Sequence, residues 1–212
     1  MDITWYGLSC FRLSERGLAT VVTDPFDPST GLPALKLKAD VITVSHDAPA
    51  HNYLKGVKGE RRVISGPGEY EIGGVFVTGV ATEDPKGRKV NADNTIYVFD
   101  FDGVTVAHLG RLAHVPSQAE IEALGAVHVA LVPVGGGGSL TPSQAAEVIS
   151  LIEPSAVIPM YYKTAALELK LGSVARFLSE MGLKELKPQP ALKVTRSDLT
   201  EDTQVIVLEP AV

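Results

Sequence analysis

The chain changes its repeat half-way along, and that change constrains its fold more than any other feature. As far as His108, short β-rich runs follow one another with tight turns between them. They are Ile3 to Tyr6, Cys10 to Leu13, Ala19 to Thr23, Asp40 to Ser45, Val63 to Ser65, Gly74 to Ala81, Thr95 to Phe101 and Val104 to His108. Val41, Ile42 and Val44 form a nearly continuous apolar run, the mark of a buried strand. Asp102-Gly103 is a hairpin signal between the last two runs. From Ser117 onward, helical and extended patterns alternate. Ser117 with Glu120, and Thr141 with Gln144, are capping boxes that predict helices over Ser117 to Leu124 and from Pro142. Ala145, Val148, Ile149 and Ile152 recur at helical spacing. A third helix, Val174 to Met181, ends at Gly182. Val127 to Val134, Ala156 to Met160, Lys193 to Thr195 and Val205 to Leu208 read as strands. A meander followed by αβ units predicts an α/β fold: two mixed β-sheets packed face to face with helices outside, a four-layer αββα sandwich.

Its 212 residues suit one domain over 1–212 with a substantial core. The formal net charge of −6 argues against nucleic acid, which calls for a basic stripe. The densest basic run, Lys55 to Arg62, is short and interrupted by Glu60. With one cysteine, Cys10, neither an internal disulfide nor a CxxC metal site is available. No apolar stretch is long enough for a membrane span and no signal peptide is visible, so the expected compartment is the cytosol, with no membrane partner.

The chemistry-bearing residues are few. There are five histidines, His46, His51, His108, His114 and His128. The first two stand in Ser45-His46-Asp47-Ala48-Pro49-Ala50-His51-Asn52, at the exit of a buried strand, where ligands and catalytic groups gather. Pro49 holds Ala48 extended and favours a helix beginning there. A bend at the same place brings His46 and His51 to one side, whereas in a continuous helix they diverge.

This segment resembles a degraded form of the His-x-His-x-Asp-His motif of the metallo-β-lactamase superfamily. Trp5-Tyr6-Gly7-Leu8-Ser9-Cys10-Phe11, Thr23-Asp24-Pro25-Phe26 and His108-Leu109-Gly110-Arg111 resemble three further motifs of a small branch of it, the branch similar to ascorbate-phosphate lactonase. So do Val132-Pro133-Val134-Gly135-Gly136 and Ile158-Pro159-Met160-Tyr161-Tyr162. The resemblance runs in order from Ile3 to about Thr164. It implies the αββα fold and a hydrolytic site in which two divalent metals, usually zinc, activate a bridging hydroxide.

Carried over position by position, the resemblance keeps two ligand types. His46 matches the first motif histidine and His51 the last. Ala48, Ala50, Arg111 and Tyr161 stand at four other ligand positions, and no histidine occurs near Thr82 to Asp84, where a fifth is due. A catalytic zinc takes about three protein ligands plus water. A guanidinium ~4 Å from a cation repels it by about 4 kcal/mol per unit charge pair at an effective dielectric near 20. Asp47, Glu69, Glu71, Glu83 and Asp84 are acids that offset this if they point inward.

The expectation is therefore a hydrolase-like protein with a degenerate metal site, a pseudoenzyme in a binding, regulatory or assembly role. The ligand-pocket candidates are His46, Asp47, His51, Arg111, His114 and Tyr161, and no catalytic residue is assigned. No cofactor is expected, the alternative being one zinc or other divalent ion at His46 and His51. Expected partners are a small anionic ligand and further copies of the chain in a homo-oligomer. The alternative is a metal-dependent or metal-free hydrolase of a small anionic ester, lactone or phosphoester with a rebuilt site.

Plainer roles stand beside these. His46 and His51 as backbone-bonded loop residues, His108 as a structural residue and His128 as a core or edge histidine are the ordinary assignments. Arg111, if inward, pairs with Asp47 or Asp24 or awaits an anion. Tyr161 at a ligand position needs a partner for its hydroxyl. Gly135 to Gly138 read as a flexible loop and Gly66 to Glu71 as a turn beside the pocket. No GxSxG elbow is present, and Cys10 belongs to the core.

Overall fold

Every apolar run of the first half becomes a strand, because alternate side chains have a second sheet to face. The computed structural model describes residues 1–59, 61–83 and 94–211. In order it contains β1 (Asp2–Gly7), β2 (Cys10–Ser14), β3 (Val21–Thr23), β4 (Leu37–Lys38), β5 (Val41–Val44), β6 (Val57–Lys58), β7 (Arg62–Ser65), β8 (Gly68–Ile72), β9 (Val75–Thr82), β10 (Asn94–Phe101) and β11 (Val104–His108). There follow α1 (Gln118–Leu124), β12 (Val129–Pro133), α2 (Pro142–Ile152), β13 (Ala156–Met160), α3 (Val174–Glu180), β14 (Leu192–Lys193) and β15 (Gln204–Val205).

Among the described residues, thirteen strands form two mixed sheets, and β4 and β6 pair as a separate two-stranded parallel sheet. The first runs β14-β1-β2-β3-β5-β7, antiparallel as far as β3 and parallel across β3, β5 and β7. The second runs β15-β13-β12-β11-β10-β9-β8, parallel from β15 to β11 and antiparallel from there. This is the expected α/β sandwich. Its helices are short: α1 packs on β9, α2 on β12, and α3 on α2. Both predicted capping boxes close, Ser117 with Glu120 and Thr141 with Gln144. The Asp102-Gly103 hairpin forms with both residues at positive φ.

Fully buried Trp5, Phe11, Tyr97 and Phe99 lie in the core. Trp5 packs against Tyr162 with ring centroids 5.0 Å apart. The Tyr97 hydroxyl takes a hydrogen bond from Gly66 N (2.8 Å) and donates to Val44 O (3.1 Å), so β10 of the second sheet holds the ends of β5 and β7 of the first. Burial pushes that phenol up to about 12.

Two local expectations change. The segment after Pro49 is not a helix. It is a turn in which His51 N and Asn52 N both donate to Ala48 O, followed by a 3-10 turn at Leu54–Gly56. Gly66 to Glu71 is a turn only at Gly66-Pro67, and from Gly68 it is edge strand β8, paired with β9. Glycine and charge mask its strand character, and β9 supplies the pairing that propensity did not. Asp84, like Glu60, lies outside the described residues.

Candidate functional site

The site is built at the ends of β3, β5, β11 and β13, where the chain leaves the sandwich. After β3 the backbone turns at Asp24, a non-glycine residue at φ 38°. After β13 it turns at Tyr161, at φ 54°. Left-handed residues of this kind persist where the surroundings hold them, and they collect at functional sites. Tyr161 N donates to Leu8 O (3.0 Å), and Gly135 lies so close to Tyr161 O that any β-carbon there would overlap it.

Asp24 is the hub. Its carboxylate is fully buried and accepts from Ser45 N (2.7 Å), from the Ser45 hydroxyl and from His51 Nδ1 (2.8 Å). His108 Nε2 lies 4.0 Å from it and donates to Ser9 O at 2.8 Å. Burial pushes the Asp24 carboxyl up. The neighbouring His51 and His108 imidazoles, with the bonds from His51 and Ser45, outweigh that and hold it below its ordinary value. Burial drives the His108 pKa down, with Asp24 opposing.

His51 is fully buried, with Nδ1 committed to Asp24 and Nε2 without a partner among the described residues. Tyr161 stacks on its ring at 5.5 Å, and His46 meets it edge-on at 5.7 Å. The bend after Pro49 thus brings the two histidines together. Arg111 completes the group. Its Nη1 lies 3.0 Å from His46 Nε2, and its Nη2 reaches Gly137 O at 3.4 Å. Asn94 fixes the Arg111 backbone, its Oδ1 accepting from Arg111 N (2.7 Å) while its Nδ2 donates to Leu109 O (3.2 Å). Burial raises the Tyr161 pKa, with the Arg111 guanidinium opposing. Beside the cluster opens a cavity of about 650 Å³ whose walls include Ser45, His46, Asp47, Asn52, Thr82 and Glu83, a size suited to a small molecule.

Four of the six predicted pocket residues, His46, His51, Arg111 and Tyr161, come together. Asp47 is exposed on the cavity wall, where Asn52 bonds it, so it is not the partner of Arg111. Asp24 is not that partner either, because its oxygens face Ser45 and His51. His114 is buried, with Glu120 as its electrostatic neighbour. Among the acids, Glu83 lines the cavity, whereas Glu69 and Glu71 are exposed on β8. His128 is a strand-edge residue bonded to Thr105. Sequence reasoning took Asp24 only for a possible partner of Arg111, not for the hub, and missed Asn94 altogether. An acid ending a fully apolar strand was the available signal for Asp24; Asn94 left none.

Comparison with known proteins bears directly on the cofactor. The family model described as Beta-lactamase superfamily domain matches residues 2–161. A UPF0173 metal-dependent hydrolase of Methanoculleus marisnigri is 30% identical, the match spanning 77% of this chain and 82% of the relative. A UPF0173 protein of Pyrococcus abyssi is 26% identical over 92% of this chain and all of the relative. A Thermotoga maritima crystal structure, assigned by name to the Zn-dependent hydrolases of the metallo-β-lactamase superfamily, is 38% identical. It superposes with a TM-score of 0.80 over 98% of this chain and 97% of that one. The Bacillus subtilis metallo-β-lactamase fold protein YhfI, 10% identical with a TM-score of 0.65, shows the fold alone.

These relatives overturn the expectation that no cofactor takes part, since metal dependence is the stated character of the proteins this chain matches. The physical reason lies in Asp24. Counting ligands at matched positions overlooks the carboxylate that supports an imidazole from behind, and metal-binding histidines typically carry that support. His51, bonded to Asp24 through Nδ1 and open at Nε2, keeps that arrangement. Yet a two-metal centre does not fit the described residues, among which no three His, Cys, Asp or Glu side chains converge as a metal site. With 160 matched residues (2 to 161) and a near-complete structural match at 38% identity, the chain belongs to the metallo-β-lactamase superfamily of metal-dependent hydrolases.

Proposed function

We propose that this chain keeps the scaffold of its hydrolase family with most of the two-metal ligand set replaced, and uses its pocket to hold a small anionic ligand in a binding or regulatory role. One observation carries the reading. The Arg111 guanidinium lies at His46, a wall residue of the cavity, and its Nε–H is buried without a partner among the described residues. A guanidinium offers five donors in a planar fork, and a carboxylate or phosphate fits that fork. The ligand replaces the weak Gly137 contact and takes the orphaned Nε–H, beside the stacked Tyr161 and His51 rings.

Thermal shift against phosphate- and carboxylate-bearing metabolites tests this. A ligand at 100 times its Kd adds roughly 2.7 kcal/mol of stability. Arg111→Ala abolishes that gain. A panel without any shift, or a shift that survives Arg111→Ala, refutes the reading.

The Asp24–His51 pair favours a second reading, hydrolysis of a small anionic ester, lactone or phosphoester by a rebuilt site. In that case His51→Ala removes turnover in assays supplied with zinc or manganese. Turnover unchanged by His51→Ala excludes it.

The same proposal places the chain in the cytosol, supported by the buried free thiol of Cys10. No helix among the described residues is long and apolar enough to cross a membrane. Exposed Val63, Tyr70 and Phe76 along β7, β8 and β9 support self-association.

A further inference from the structure

The basic run Lys55 to Arg62 has no part in the site described above, and directly after it the chain changes sign. The run carries four cations, Lys55, Lys58, Arg61 and Arg62, with one acid, Glu60, among them. From Val63 to Pro85 no Lys, Arg or His occurs, and the only charged residues are Glu69, Glu71, Glu83 and Asp84.

The fold puts the two signs on two consecutive open edges. β7 ends the first sheet, where it pairs with β5, and β8 ends the second, where it pairs with β9. On β7, Arg62 and Val63 are exposed, and half-buried Arg61 just before them has a buried Nε without a partner among the described residues. Arg61, Arg62 and Val63 wall a surface recess of about 570 Å³. On β8, Glu69, Tyr70 and Glu71 are all exposed, and exposed Phe76 of β9 stands opposite Glu71. Among the described residues no ion pair neutralises Arg62, Glu69 or Glu71.

Charge of one sign keeps an open edge from pairing with its own copy, whereas opposite signs on two edges attract. Antiparallel pairing of β8 with a second β8 about Tyr70 sets Glu69 opposite Glu71, and like charges so placed repel. Pairing of β8 with β7 instead brings acids to arginines, and Tyr70 and Phe76 to Val63.

We infer that a second copy of the chain docks here, with its acidic β8 edge along the basic β7 edge. Each copy carries both halves, so a two-fold axis makes the contact twice and closes a dimer. Val63, Ser65, Gly66 and Pro67, on β7 and the turn after it, also wall the cavity beside His46, so the second copy lies at the rim of the pocket. This inference rests on the self-association proposed above and names its surface.

Sedimentation velocity of the full-length chain at micromolar concentration is the test. The wild type is expected to sediment as a dimer. Glu69→Lys with Glu71→Lys, and separately Arg61→Glu with Arg62→Glu, each give both edges one sign and weaken the dimer at least about tenfold, because like charges then face each other. Mixing the two variants restores a dimer, since one copy is then positive on both edges and the other negative on both. Far-UV circular dichroism and melting confirm the fold, and Arg62→Glu alone serves if the double arginine variant is unstable. A wild type that stays monomeric overturns both this inference and self-association. A dimer that survives either pair of reversals, or variants that fail to recombine, overturns this interface and leaves self-association standing.

Discussion

His46 and His51 stand five residues apart on one turn, with their rings in edge-to-face contact, and their surroundings are opposite. His51 is fully buried and backed by a carboxylate, which is itself bonded by Ser45 and flanked by His108. His46 is half-buried and met by the Arg111 guanidinium, which also reaches Gly137 O and Tyr161. One side of the site is a closed polar network of short bonds; the other is a partly exposed contact at the wall of an open cavity. The comparison teaches that two neighbouring histidines on one turn can be held by unlike means, one by a buried carboxylate wired into the core and the other by a cationic side chain at the cavity wall.

The largest effect expected from this contrast is at Asp24. Asp24→Ala removes the charge at the centre of the network and leaves His51 Nδ1 and Ser45 N buried without partners. Breaking a buried pair in this way costs about 3–5 kcal/mol, measured as a change in urea midpoint at constant m. A cost below about 1 kcal/mol would break the comparison.

The next effect is a pH dependence carried by His108. Burial lowers its folded pKa, so the unfolded chain takes the proton first as the solution is acidified. Its contribution is intact above about pH 6.5, the ordinary histidine value, and is lost as the pH falls from there through the lowered folded value. Urea unfolding at pH 7.5 and 5.5 should show this loss, and His108→Gln should flatten it. An equal slope in the variant would move the titration elsewhere.

The smallest effect is on the partly exposed side. Arg111→Ala should change stability by no more than about 1 kcal/mol, the net worth of one partly exposed hydrogen bond. A cost as large as that of Asp24→Ala would make Arg111 part of the buried framework.

Much of this was legible in the sequence, unevenly. The Ser117 and Thr141 capping boxes and the Asp102-Gly103 turn are local devices, and each forms as read. The convergence of His46, His51, Arg111 and Tyr161 followed from motif order. What escaped depends on contacts far apart in the chain. Asp24 and His51 are 27 positions apart, and only the parallel pairing of β3 with β5 brings the end of one strand beside the loop leaving the other. Asn94, the anchor of Arg111, meets it from 17 positions away through β10 and β11. The cofactor expectation failed for the same reason: ligands were counted along the chain, whereas support for His51 arrives from across the sheet.

The packing of Trp5 on Tyr162 has a practical consequence. Trp5 is the sole tryptophan of the chain. It is fully buried, 5.0 Å from a ring whose neighbour in sequence stacks on His51. Its emission is thus an unlabelled optical gauge set one residue behind the Tyr161–His51 stack. A ligand or ion that shifts Tyr161 changes the quenching of Trp5, so occupancy of the pocket can be followed in real time with the natural protein and no substrate in hand.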